Sequence, residues 1–513
     1  MTLNPTERKF DFAIAASASL APTMPGVTIS EGFQLEVNDM ARRVRLAIIG
    51  AGTAGLTALK EAQRITPDVV LINDGPYGTT CARVGCMPSK ALLASAHAFH
   101  DRAFLAEAGV RGTEALSVDM SAVLERVRSL RDRFIAGPIR LAESLGERNL
   151  RGRPRFLDPH TLELGGERIE AEATVIATGS RPVLPEPWRQ LGKRVLTSDD
   201  IFEQEDLLPR VAVVGLGAVG AELGQALAQL GLHVSGFTLT ETVAGLTDPQ
   251  VSQALIRCLR ADMQVFTGTE VHLEPADYNA VHVRTGDRTM EVDWVLASLG
   301  RRPNIEGLGL ENLDVEFDGQ GIPVFDSTTR RLGKHPIYIA GDVNGERPVL
   351  HEAADDGRIA AYFALHPDAQ CLTRRTALGI VFTTPNAARV GQSYAELDHE
   401  HIVVGEADFS RQGRALMAGR NAGCLRVYAA TADARLLGAE MAAPEGEHLA
   451  HLLAWVIQQG LTVDEVLQLP FYHPVVEEGL RSALQAARRE LGQHRRTPDL
   501  PLCEEPVDWA LGK

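Results

Sequence analysis

One sequence pattern occurs twice in this chain, and it restricts the fold more than any other feature does. It consists of an apolar run, three glycines spaced Gly-x-Gly-x-x-Gly, a helical stretch and a second apolar run. The first copy, "VRLAIIGAGTAGLTALKEAQRI", leads to "VVLIN", which ends at Asn73; the second, "RVAVVGLGAVGAELGQALAQLGLHVSGFT", ends at Thr238. Each copy predicts a strand, a tight turn, a helix and a parallel strand, which is the opening unit of a doubly wound α/β sheet. We therefore expect two such sheets.

The three glycines of each copy have separate physical roles. The first permits the tight turn, the second lets the backbone approach a pyrophosphate, and the third lets the helix pack closely on the sheet. The helix N-terminus then presents unpaired N–H groups and a positive dipole end to the phosphates. The pattern predicts two dinucleotide sites, one at Gly50, Gly52 and Gly55 and one at Gly215, Gly217 and Gly220. Two sheets that keep their glycine turns without ligands are the alternative.

The stretch "TTCARVGCMPSK" (79–90) places two cysteines shortly after the first unit. Pro88 suits the first turn of a helix and the following residues continue a helical pattern, so Cys86 should lie just before a helix N-terminus. The dipole there favours a thiolate, which helps a redox pair but not a permanent disulfide. A metal site needs two more ligands, and His97 and His100 should lie on a helix that leads away. We favour a dithiol that cycles between thiol and disulfide, and we predict no metal.

Composition argues against several classes of partner. The formal net charge is −16, whereas nucleic-acid phosphates require a basic surface, so we predict no nucleic acid. We also predict no membrane association, since no stretch reaches the roughly 20 strongly apolar residues of a membrane span. Six cysteines in 513 residues are too few for a disulfide-built secreted domain, and we expect a cytoplasmic protein. The apolar run within residues 12–30 is too short for a convincing signal peptide and favours a flexible N-terminal extension.

Further motifs follow one another along the chain. They are Cys-x4-Cys-x-Pro-x-Lys (81–90), "VIATGSRP" (175–182), "LGRRPN" (299–304), "YIAGDV" (338–343), "VFTTPNAARVG" (381–391) and "YHPVVEEGL" (472–480). Together with the glycine units, they make residues 44–490 resemble the flavoprotein disulfide reductases. This is the class I pyridine nucleotide-disulfide oxidoreductase family of lipoamide dehydrogenase, glutathione reductase and mercuric reductase. Within it, the pattern is closest to dihydrolipoamide dehydrogenase.

The resemblance implies an α/β protein with two Rossmann-like dinucleotide-binding domains and a C-terminal α+β dimerisation domain. The implied segments are an N-terminal extension (1–44), an FAD-binding domain (45–188), an NAD(P)-binding domain (189–308), a second FAD-side segment (309–372), the dimerisation domain (373–490) and a polar C-terminal tail (491–513). The resemblance also implies a homodimer.

The resemblance further implies roles for individual residues. FAD would be held by the first glycine turn and by Asn73, Asp74, Thr80, Lys90, Thr178, Gly179 and Asp342. NAD would be held by the second glycine turn, Thr238 and Gly300. The catalytic residues would be Cys81, Cys86, Lys90, Glu222, His473 and Glu478. Among these, Lys90 and Glu222 would form a buried ion pair.

In such enzymes electrons pass between NAD(P)H, the flavin and the cysteine pair. By position, Cys86 would face the flavin and Cys81 would exchange with the substrate. A thiol that exchanges with a disulfide needs a base, and His473 is suited to this at neutral pH, with Glu478 orienting its ring. The resemblance implies that His473 serves the cysteines of the other subunit, so that a monomer has an incomplete site.

Three positions depart from the family pattern. An acid usually holds the FAD ribose where Asn73 stands, and Asp74 is the adjacent substitute. At Thr238 an acid would favour NAD and a nearby arginine NADP; residues 234–256 contain no Lys or Arg, so we predict NAD rather than NADP. Phe471 stands where dihydrolipoamide dehydrogenases usually have a second histidine, and this argues against lipoamide.

Dihydrolipoamide dehydrogenase-like activity on a small disulfide such as lipoamide is nevertheless our first prediction. The alternatives are reduction of another small or protein disulfide or of a metal ion, and a non-catalytic flavin-bound scaffold or redox sensor. Mercuric reductase is disfavoured because the C-terminal stretch contains Cys503 rather than a vicinal cysteine pair. A transhydrogenase is disfavoured because such relatives lack the first cysteine, which is present here as Cys81.

Overall fold

A computed structural model describes residues 41–277, 280–492 and 499–500. Most of the predicted N-terminal extension (1–44) and of the predicted tail (491–513), including Cys503, lies outside the described residues. Within the described ranges, no helix combines the length and the apolar character needed to cross a membrane.

The first sheet is built around the first glycine unit. Its strands are β1 (Arg42–Ile49), β2 (Val69–Asn73), β3 (Asn149–Arg151), β4 (Arg155–Asp158), β5 (Thr161–Leu164) and β6 (Glu167–Ile176), in the order β3-β2-β1-β6-β5-β4. The helices of this segment are α1 (Thr53–Gln63), α2 (Thr80–Val84), α3 (Cys86–His100), α4 (Arg102–Glu107) and α5 (Met120–Glu143). β1 begins at Arg42 rather than at the expected Val44, because Arg42 and Arg43 continue the parallel ladder with β6.

The second glycine unit builds a separate parallel sheet. The elements that follow in the chain are β7 (Ser180–Pro182), α6 (Glu186–Arg189), β8 (Val195–Leu196), β9 (Arg210–Val214), α7 (Ala218–Gln229), β10 (His233–Phe237), α8 (Pro249–Asp262), β11 (Gln264–Phe266), β12 (His272–Pro275), β13 (Val281–Thr285), β14 (Arg288–Val292), β15 (Trp294–Ala297) and β16 (Arg301–Pro303). The parallel sheet has the order β11-β10-β9-β15-β8, and β12-β13-β14 form a small antiparallel sheet. β7 and β16 lie in the two chain segments that connect the first and second sheets, and they pair antiparallel with each other. This strand pair is the β7–β16 crossing.

The next segment returns to the first sheet. β17 (Ile337–Ile339) pairs in parallel with β6, and α9 (Leu350–Leu365) packs against α1. The contact between the helices is so close that a Cβ on Gly357 would lie 2.2 Å from the carbonyl oxygen of Ala54. The segment predicted at 309–372 therefore contributes a strand and a helix to the first domain, while the exact domain boundaries stay predictions.

The C-terminal domain is an antiparallel sheet covered by helices. Its elements are β18 (Leu378–Val381), β19 (Asn386–Gly391), β20 (Ile402–Asp408), α10 (Gly413–Met417), β21 (Cys424–Ala430), β22 (Leu436–Ala443), α11 (Gly446–Gln458), α12 (Val463–Leu467) and α13 (Glu478–Glu490). The strand order is β18-β19-β22-β21-β20. α13 buries one apolar stripe, Leu480, Ala483, Leu484 and Ala487, at the spacing of a helix that packs on a sheet.

Candidate active site

The first glycine turn joins β1 to α1. Gly50 has φ +110°, which favours glycine, and a Cβ there would lie 2.3 Å from the carbonyl oxygen of Ala177. A Cβ on Gly55 would lie 1.9 Å from the carbonyl oxygen of Gly50. Gly52 differs, because it is the extended N-cap of α1 and no heavy atom lies within 4 Å of the place its Cβ would take. The turn therefore leaves an open cradle at the helix N-terminus, which fits a pyrophosphate.

The second turn repeats this construction between β9 and α7. Gly215 has φ +94°, and a Cβ there would lie 2.2 Å from the carbonyl oxygen of Ser298. A Cβ on Gly220 would lie 1.8 Å from the carbonyl oxygen of Gly215, whereas the space beside Gly217 is again open to 4 Å. Gly217 is the N-cap of α7. Both cradles fit the phosphates of a dinucleotide.

The residue that ends β2 binds the first turn itself. Asn73 Oδ1 accepts a hydrogen bond from the Ala51 N–H at 3.1 Å, and Nδ2 donates to the Gly75 carbonyl at 2.6 Å. Asp74 is exposed, and its carboxylate lies 3.2 Å from Arg153 Nε. Asn73 thus holds the turn in place, while a contact of Asn73 or Asp74 with a ribose stays a prediction.

The corresponding position in the second unit, Thr238, lies just after β10 and is buried. Its hydroxyl lies 3.0 Å from the hydroxyl of Thr240, and its N–H donates to the Phe266 carbonyl at 3.0 Å. Glu241 follows in the same loop, where its carboxylate accepts a hydrogen bond from the Thr267 hydroxyl at 3.0 Å. The loop therefore combines hydroxyl groups with a carboxylate.

Asp342 lies close to the first glycine turn despite its distance in sequence. Gly341 has φ +78°, and a Cβ there would lie 2.9 Å from the Cβ of Ala54 in α1. The Ser180 hydroxyl donates to Asp342 Oδ2 at 2.8 Å, and Arg301 Nε donates to the Ser180 hydroxyl at 2.8 Å. Asp342 is therefore held between the first domain and the β7–β16 crossing.

Three further predicted ligands lie on or beside the same crossing. The Thr178 hydroxyl donates to the Asn304 carbonyl at 2.6 Å. Gly179 has φ +68°, and its carbonyl accepts from the Asn304 N–H at 2.9 Å. Gly300 has φ +93° and its carbonyl accepts from the Val183 N–H. The predicted ligand Thr80 is the exposed first residue of α2.

The two cysteines lie on consecutive helices. Cys81 belongs to α2, and Cys86 is the first residue of α3 rather than the residue before it. Both are free thiols, and each has the other as the main influence on its pKa. Thr79 caps α2 by accepting the Ala82 N–H at 3.2 Å. The structure therefore joins the pair at a helix N-terminus, as the sequence predicted.

The thiols have opposite pKa shifts. The hydrogen bond from the Cys81 thiol is the main cause that lowers the pKa of Cys86 to about 7. Although Cys86 is an exposed residue, its sulfur is partly desolvated, which opposes this shift, while the Lys90 ammonium supports it. The same hydrogen bond and burial raise the pKa of Cys81. The neighbouring thiol is thus a cause of the lowered Cys86 pKa that the sequence argument, which relied on the helix end, did not include.

Lys90 lies one turn after Cys86 on α3 and pairs with the nucleotide-side helix α7. Its ammonium donates to both carboxylate oxygens of Glu222, at 2.8 and 3.0 Å. The Glu222 side chain is 8% exposed and that of Lys90 is 35% exposed. The predicted pair is therefore present in the geometry, and it links the helix of the redox thiols to the helix of the second glycine turn.

His473 and Glu478 are also brought together. The imidazole Nδ1 lies 3.0 Å from Glu478 Oε1, and Glu478 is the first residue of α13. The hydrogen bond with His473 is the main cause that lowers the pKa of Glu478. With Nδ1 directed at the carboxylate, Nε2 is the ring atom left for proton exchange. The His473 side chain is 80% exposed, so this chain presents the ring outward.

Other candidate ligands and thiols lie elsewhere. His97 Nε2 is 3.3 Å from the Thr384 hydroxyl, and His100 Nδ1 is 3.8 Å from Asp262. In the described part of the chain, the group of acids and histidines close enough to share a metal ion is Glu445, Glu447 and His448, which includes neither redox thiol. The remaining described cysteines are free; they are Cys258, Cys371 and Cys424.

Two residues of this region lie in the motifs but were not predicted as site residues. Ser180, in "VIATGSRP", donates to Asp342. Phe382, in "VFTTPNAARVG", contacts both Lys90 and Glu222. Their position inside family motifs was the available signal, but neither side chain carries a charge that would have distinguished it.

Comparison with known proteins agrees with this geometry. Residues 44–357 match the family described as pyridine nucleotide-disulphide oxidoreductase, and residues 378–484 match the dimerisation domain of the same family. The chain belongs to the pyridine nucleotide-disulphide oxidoreductase family. The predicted α/β fold and the flavin- and pyridine-nucleotide-dependent oxidoreductase class are thereby confirmed.

Two curated relatives are similar over nearly their whole length. The dihydrolipoyl dehydrogenase of Haloferax volcanii is 31% identical over 475 residues, which cover 89% of this chain and 98% of that protein. The dihydrolipoyl dehydrogenase of Bacillus subtilis is 27% identical over 463 residues, covering 88% and 98%. The solved structure of the HOCl-induced flavoprotein disulfide reductase RclA from Escherichia coli matches with a TM-score of 0.74 at 23% identity, covering 86% of this chain and 99% of that one. That likeness supports the fold.

Proposed function

We propose that this chain is an FAD- and NAD-dependent enzyme of the dihydrolipoamide dehydrogenase type that oxidises or reduces a small dithiol/disulfide pair such as lipoamide. The observation that carries the proposal is the pair of free thiols on the consecutive helices α2 and α3, with the Lys90–Glu222 ion pair one turn after Cys86. The relatives named dihydrolipoyl dehydrogenase support the substrate class.

FAD is the flavin that the first cradle fits, because the cradle accommodates a pyrophosphate and FAD is the dinucleotide form. The ligands would be the glycine turn with Asn73, Asp74, Thr80, Lys90, Thr178, Gly179 and Asp342. When bound, the flavin supplies hydride acceptance from the nicotinamide and two-electron exchange with a neighbouring disulfide. The chain's own contribution is to place Asp342 beside the turn and Lys90 beside the thiols.

NAD is favoured over NADP by the second unit. A 2′-phosphate carries up to two negative charges and requires a cation. The loop after β10 offers the Thr238 hydroxyl and the Glu241 carboxylate, and residues 234–256 contain no Lys or Arg. The Glu241 carboxylate would repel a 2′-phosphate, whereas the ribose hydroxyls of NAD are uncharged and would not be repelled.

The disulfide half-reaction follows from the two thiols and the imidazole. A substrate thiol attacks Cys81 of the oxidised pair, which breaks the Cys81–Cys86 bond and leaves Cys86 as a thiolate. His473 accepts the proton of the attacking thiol at Nε2, and Glu478 stabilises the resulting imidazolium. The second substrate thiol then attacks the substrate sulfur of the mixed disulfide, which breaks its bond to Cys81 and releases the substrate disulfide. The proton of this second thiol passes to the sulfur of Cys81, which is left as a thiol. The Lys90 ammonium, which also lowers the pKa of Cys86, stabilises Cys86 as the leaving thiolate.

A homodimer would complete this site. The region around His473 exposes large apolar side chains: Tyr472 is 79% exposed and Trp455 is 65% exposed. Apolar surface of this kind on a soluble protein marks an interaction site. A second copy of the chain, joined through the dimerisation domain, would cover it and receive His473 at its own thiols. A cytoplasmic location stays a prediction, supported by the small number of cysteines.

Reduction of a different disulfide or of a metal ion is the second candidate, and Phe471 favours it. This residue, which replaces the usual second histidine, is half-buried and packs against the core of the dimerisation domain. Position 471 therefore offers no second imidazole for proton exchange beside His473. A flavin-bound scaffold or redox sensor without turnover is the third candidate.

A substrate panel with purified holoenzyme separates these candidates. Lipoamide, glutathione disulfide, thioredoxin disulfide and Hg(II) are each offered with NADH and with NADPH. We expect the highest kcat/KM for lipoamide with NADH. A higher value for another acceptor would establish the second candidate, and no turnover in either direction despite flavin reduction would establish the scaffold.

A further inference from the structure

The motif "VFTTPNAARVG" belongs to the dimerisation domain, yet its first residues reach the redox site. Phe382 is the first residue after β18, and its N–H donates to Glu222 Oε2 at 3.0 Å. The Lys90 ammonium lies 4.3 Å from the centroid of the Phe382 ring. One residue therefore contacts both members of the ion pair, the acid through its backbone and the cation through its ring face.

The next residues anchor this segment to the same two helices. The Thr384 N–H donates to Gln225 Oε1 at 2.7 Å, and Gln225 Nε2 donates back to the Thr384 carbonyl at 2.8 Å. The Thr384 hydroxyl lies 3.3 Å from His97 Nε2. Gln225 belongs to α7 and His97 to α3, so the segment is fixed on both sides by contacts that do not involve the Phe382 ring.

The ring restrains the more mobile partner. Glu222 is buried and accepts three hydrogen bonds, two from Lys90 and one from the Phe382 backbone. Lys90 has a long flexible stem, and its side chain is 35% exposed. An ammonium within about 6 Å of an aromatic centroid is attracted to the ring face. Lys90 is therefore restricted from one side by Glu222 and from another by Phe382.

We propose that Phe382 is a positioning residue whose ring, supplied by the dimerisation domain, fixes the Lys90 ammonium between Glu222 and the redox thiols. Through Lys90 the dimerisation domain then influences both the Cys86 thiolate and the reaction with NADH. The inference rests on the proposed function, because it takes Lys90 and Glu222 as parts of the redox site.

The charges that face Cys86 give the direction of the effect. Cys81 on α2 and Lys90 on α3, the helix of Cys86 itself, lower the pKa of Cys86, whereas Glu222 on α7 raises it. Without the ring, Lys90 would spread over more rotamers and the mean positive charge near Cys86 would fall. The Glu222 charge would stay in place, since every non-proline residue at 382 keeps the backbone N–H. The pKa of Cys86 should therefore rise.

The test compares three variants of the holoenzyme with wild type. Phe382→Leu removes the ring face, and Phe382→Tyr retains it. Phe99→Leu is the matched control, because Phe99 lies on α3, the helix of Lys90, and its ring centroid lies 3.6 Å from the guanidinium carbon of Arg102 in α4. Two quantities are measured: the pH midpoint of Cys86 alkylation in a Cys81→Ser background, followed by peptide mapping, and the anaerobic stopped-flow rate of flavin reduction by NADH with both cysteines present.

We expect Phe382→Leu to raise the alkylation midpoint by about half a pH unit and to slow flavin reduction about three- to tenfold, the range of one partly exposed cation–π contact. Phe382→Tyr and Phe99→Leu should match wild type in both measurements. If Phe382→Leu does not give folded holoenzyme, Phe382→Met replaces it, because it fills similar space without an aromatic face.

The proposal is overturned if Phe382→Leu has the wild-type midpoint, even with a slower rate, because lost packing alone would slow the reaction. It is also overturned if Phe99→Leu shifts the midpoint equally. Failure of the proposed function gives a different result: wild-type holoenzyme would not be reduced by NADH.

Discussion

The two glycine units of this chain have the same backbone geometry in the turn, but different residues stand at the end of the second strand of each unit. In both, the first glycine has a positive φ, the third accepts close contact with the first, and the second faces open space. In the first unit, Asn73 uses its amide to bind the turn. In the second, Thr238 turns its hydroxyl towards its own loop. The comparison teaches that the glycines form a cradle that fits phosphates in both units. Because the strand-end residues differ, we expect them to determine how the remainder of each dinucleotide is recognised.

The largest effect should come from closing each cradle. Gly52→Ala and Gly217→Ala each place a methyl group in space where nothing lies within 4 Å, and both backbones are extended, so the fold should tolerate them. Loss of one hydrogen bond to a charged phosphate costs about 1.5–3 kcal/mol, which is about tenfold or more in affinity. We expect Gly52→Ala to lose flavin and Gly217→Ala to keep it but raise the KM for NADH. Flavin content and steady-state kinetics check this, and equal flavin loss in both variants would show that the two cradles do not bind different ligands.

A second difference lies in the cysteines of the two halves. Cys86 has a pKa lowered to about 7 by the Cys81 thiol, whereas burial raises the pKa of Cys258 in α8. At pH 7 about half of Cys86 is thiolate, so the reduced protein should be alkylated there at least about tenfold faster than at Cys258. Below pH 7 the Cys86 rate should fall about tenfold per pH unit as the thiolate gains its proton. Peptide mapping of iodoacetamide labelling measures both sites, and similar rates at pH 7 would contradict the pKa assignment.

The strand end of the second unit should determine nucleotide preference. We expect NADH to reduce the flavin about five- to tenfold faster than NADPH in second-order rate, because the 2′-phosphate meets no cation at Thr238. Thr238→Arg should narrow or reverse this ratio, and Thr238→Gln, which has comparable reach but no charge, should not. Stopped-flow reduction with both nucleotides gives the ratio. A wild-type preference for NADPH would reject the assignment.

The smallest effect is expected at the strand end of the first unit. Asn73→Asp keeps the oxygen that accepts from Ala51 but loses the donor to Gly75, and it adds a charge for ribose hydroxyls. A charge-assisted hydrogen bond is about twice as strong as a neutral one, so FAD affinity should rise about two- to fivefold. Asp74→Asn is the control. It should change the FAD affinity little if the Asp74 carboxylate is paired with Arg153 rather than with the ribose. Weaker FAD binding by Asn73→Asp would show that the Gly75 bond matters more than the charge.

The sequence was sufficient where local chemistry decides the structure. Three spaced glycines predict the turns because other residues would collide there, and Pro88 indicates the start of α3. The sequence was insufficient where a contact joins residues that are far apart along the chain. The hydrogen bonds from the short Asn73 amide to nearby backbone groups were not predicted, and its contact with a ribose stays a prediction. The contact of Phe382 with Lys90 requires the dimerisation domain to reach α3, which no periodicity shows.

The roles of the paired side chains followed from resemblance rather than from pattern. Lys90 and Glu222 are far apart in sequence, and their separation of 2.8 Å depends on α3 packing against α7. His473 and Glu478 are closer, yet their contact at 3.0 Å depends on the loop that precedes α13. The lowered pKa of Cys86 also needed the structure, because its main cause is the interaction with the neighbouring Cys81 thiol.

The central claim is that one subunit provides the thiols and the other the base, and a mixed dimer tests it most directly. Cys81→Ser and His473→Ala should each be inactive in disulfide turnover, the second by about 10²- to 10⁴-fold. After subunit exchange, half of the dimers are mixed, and each mixed dimer has one intact site out of two. We predict that activity returns to about a quarter of the wild-type value. Verified mixed dimers that stay inactive would contradict the account, because His473 would then serve its own chain or would not be the base.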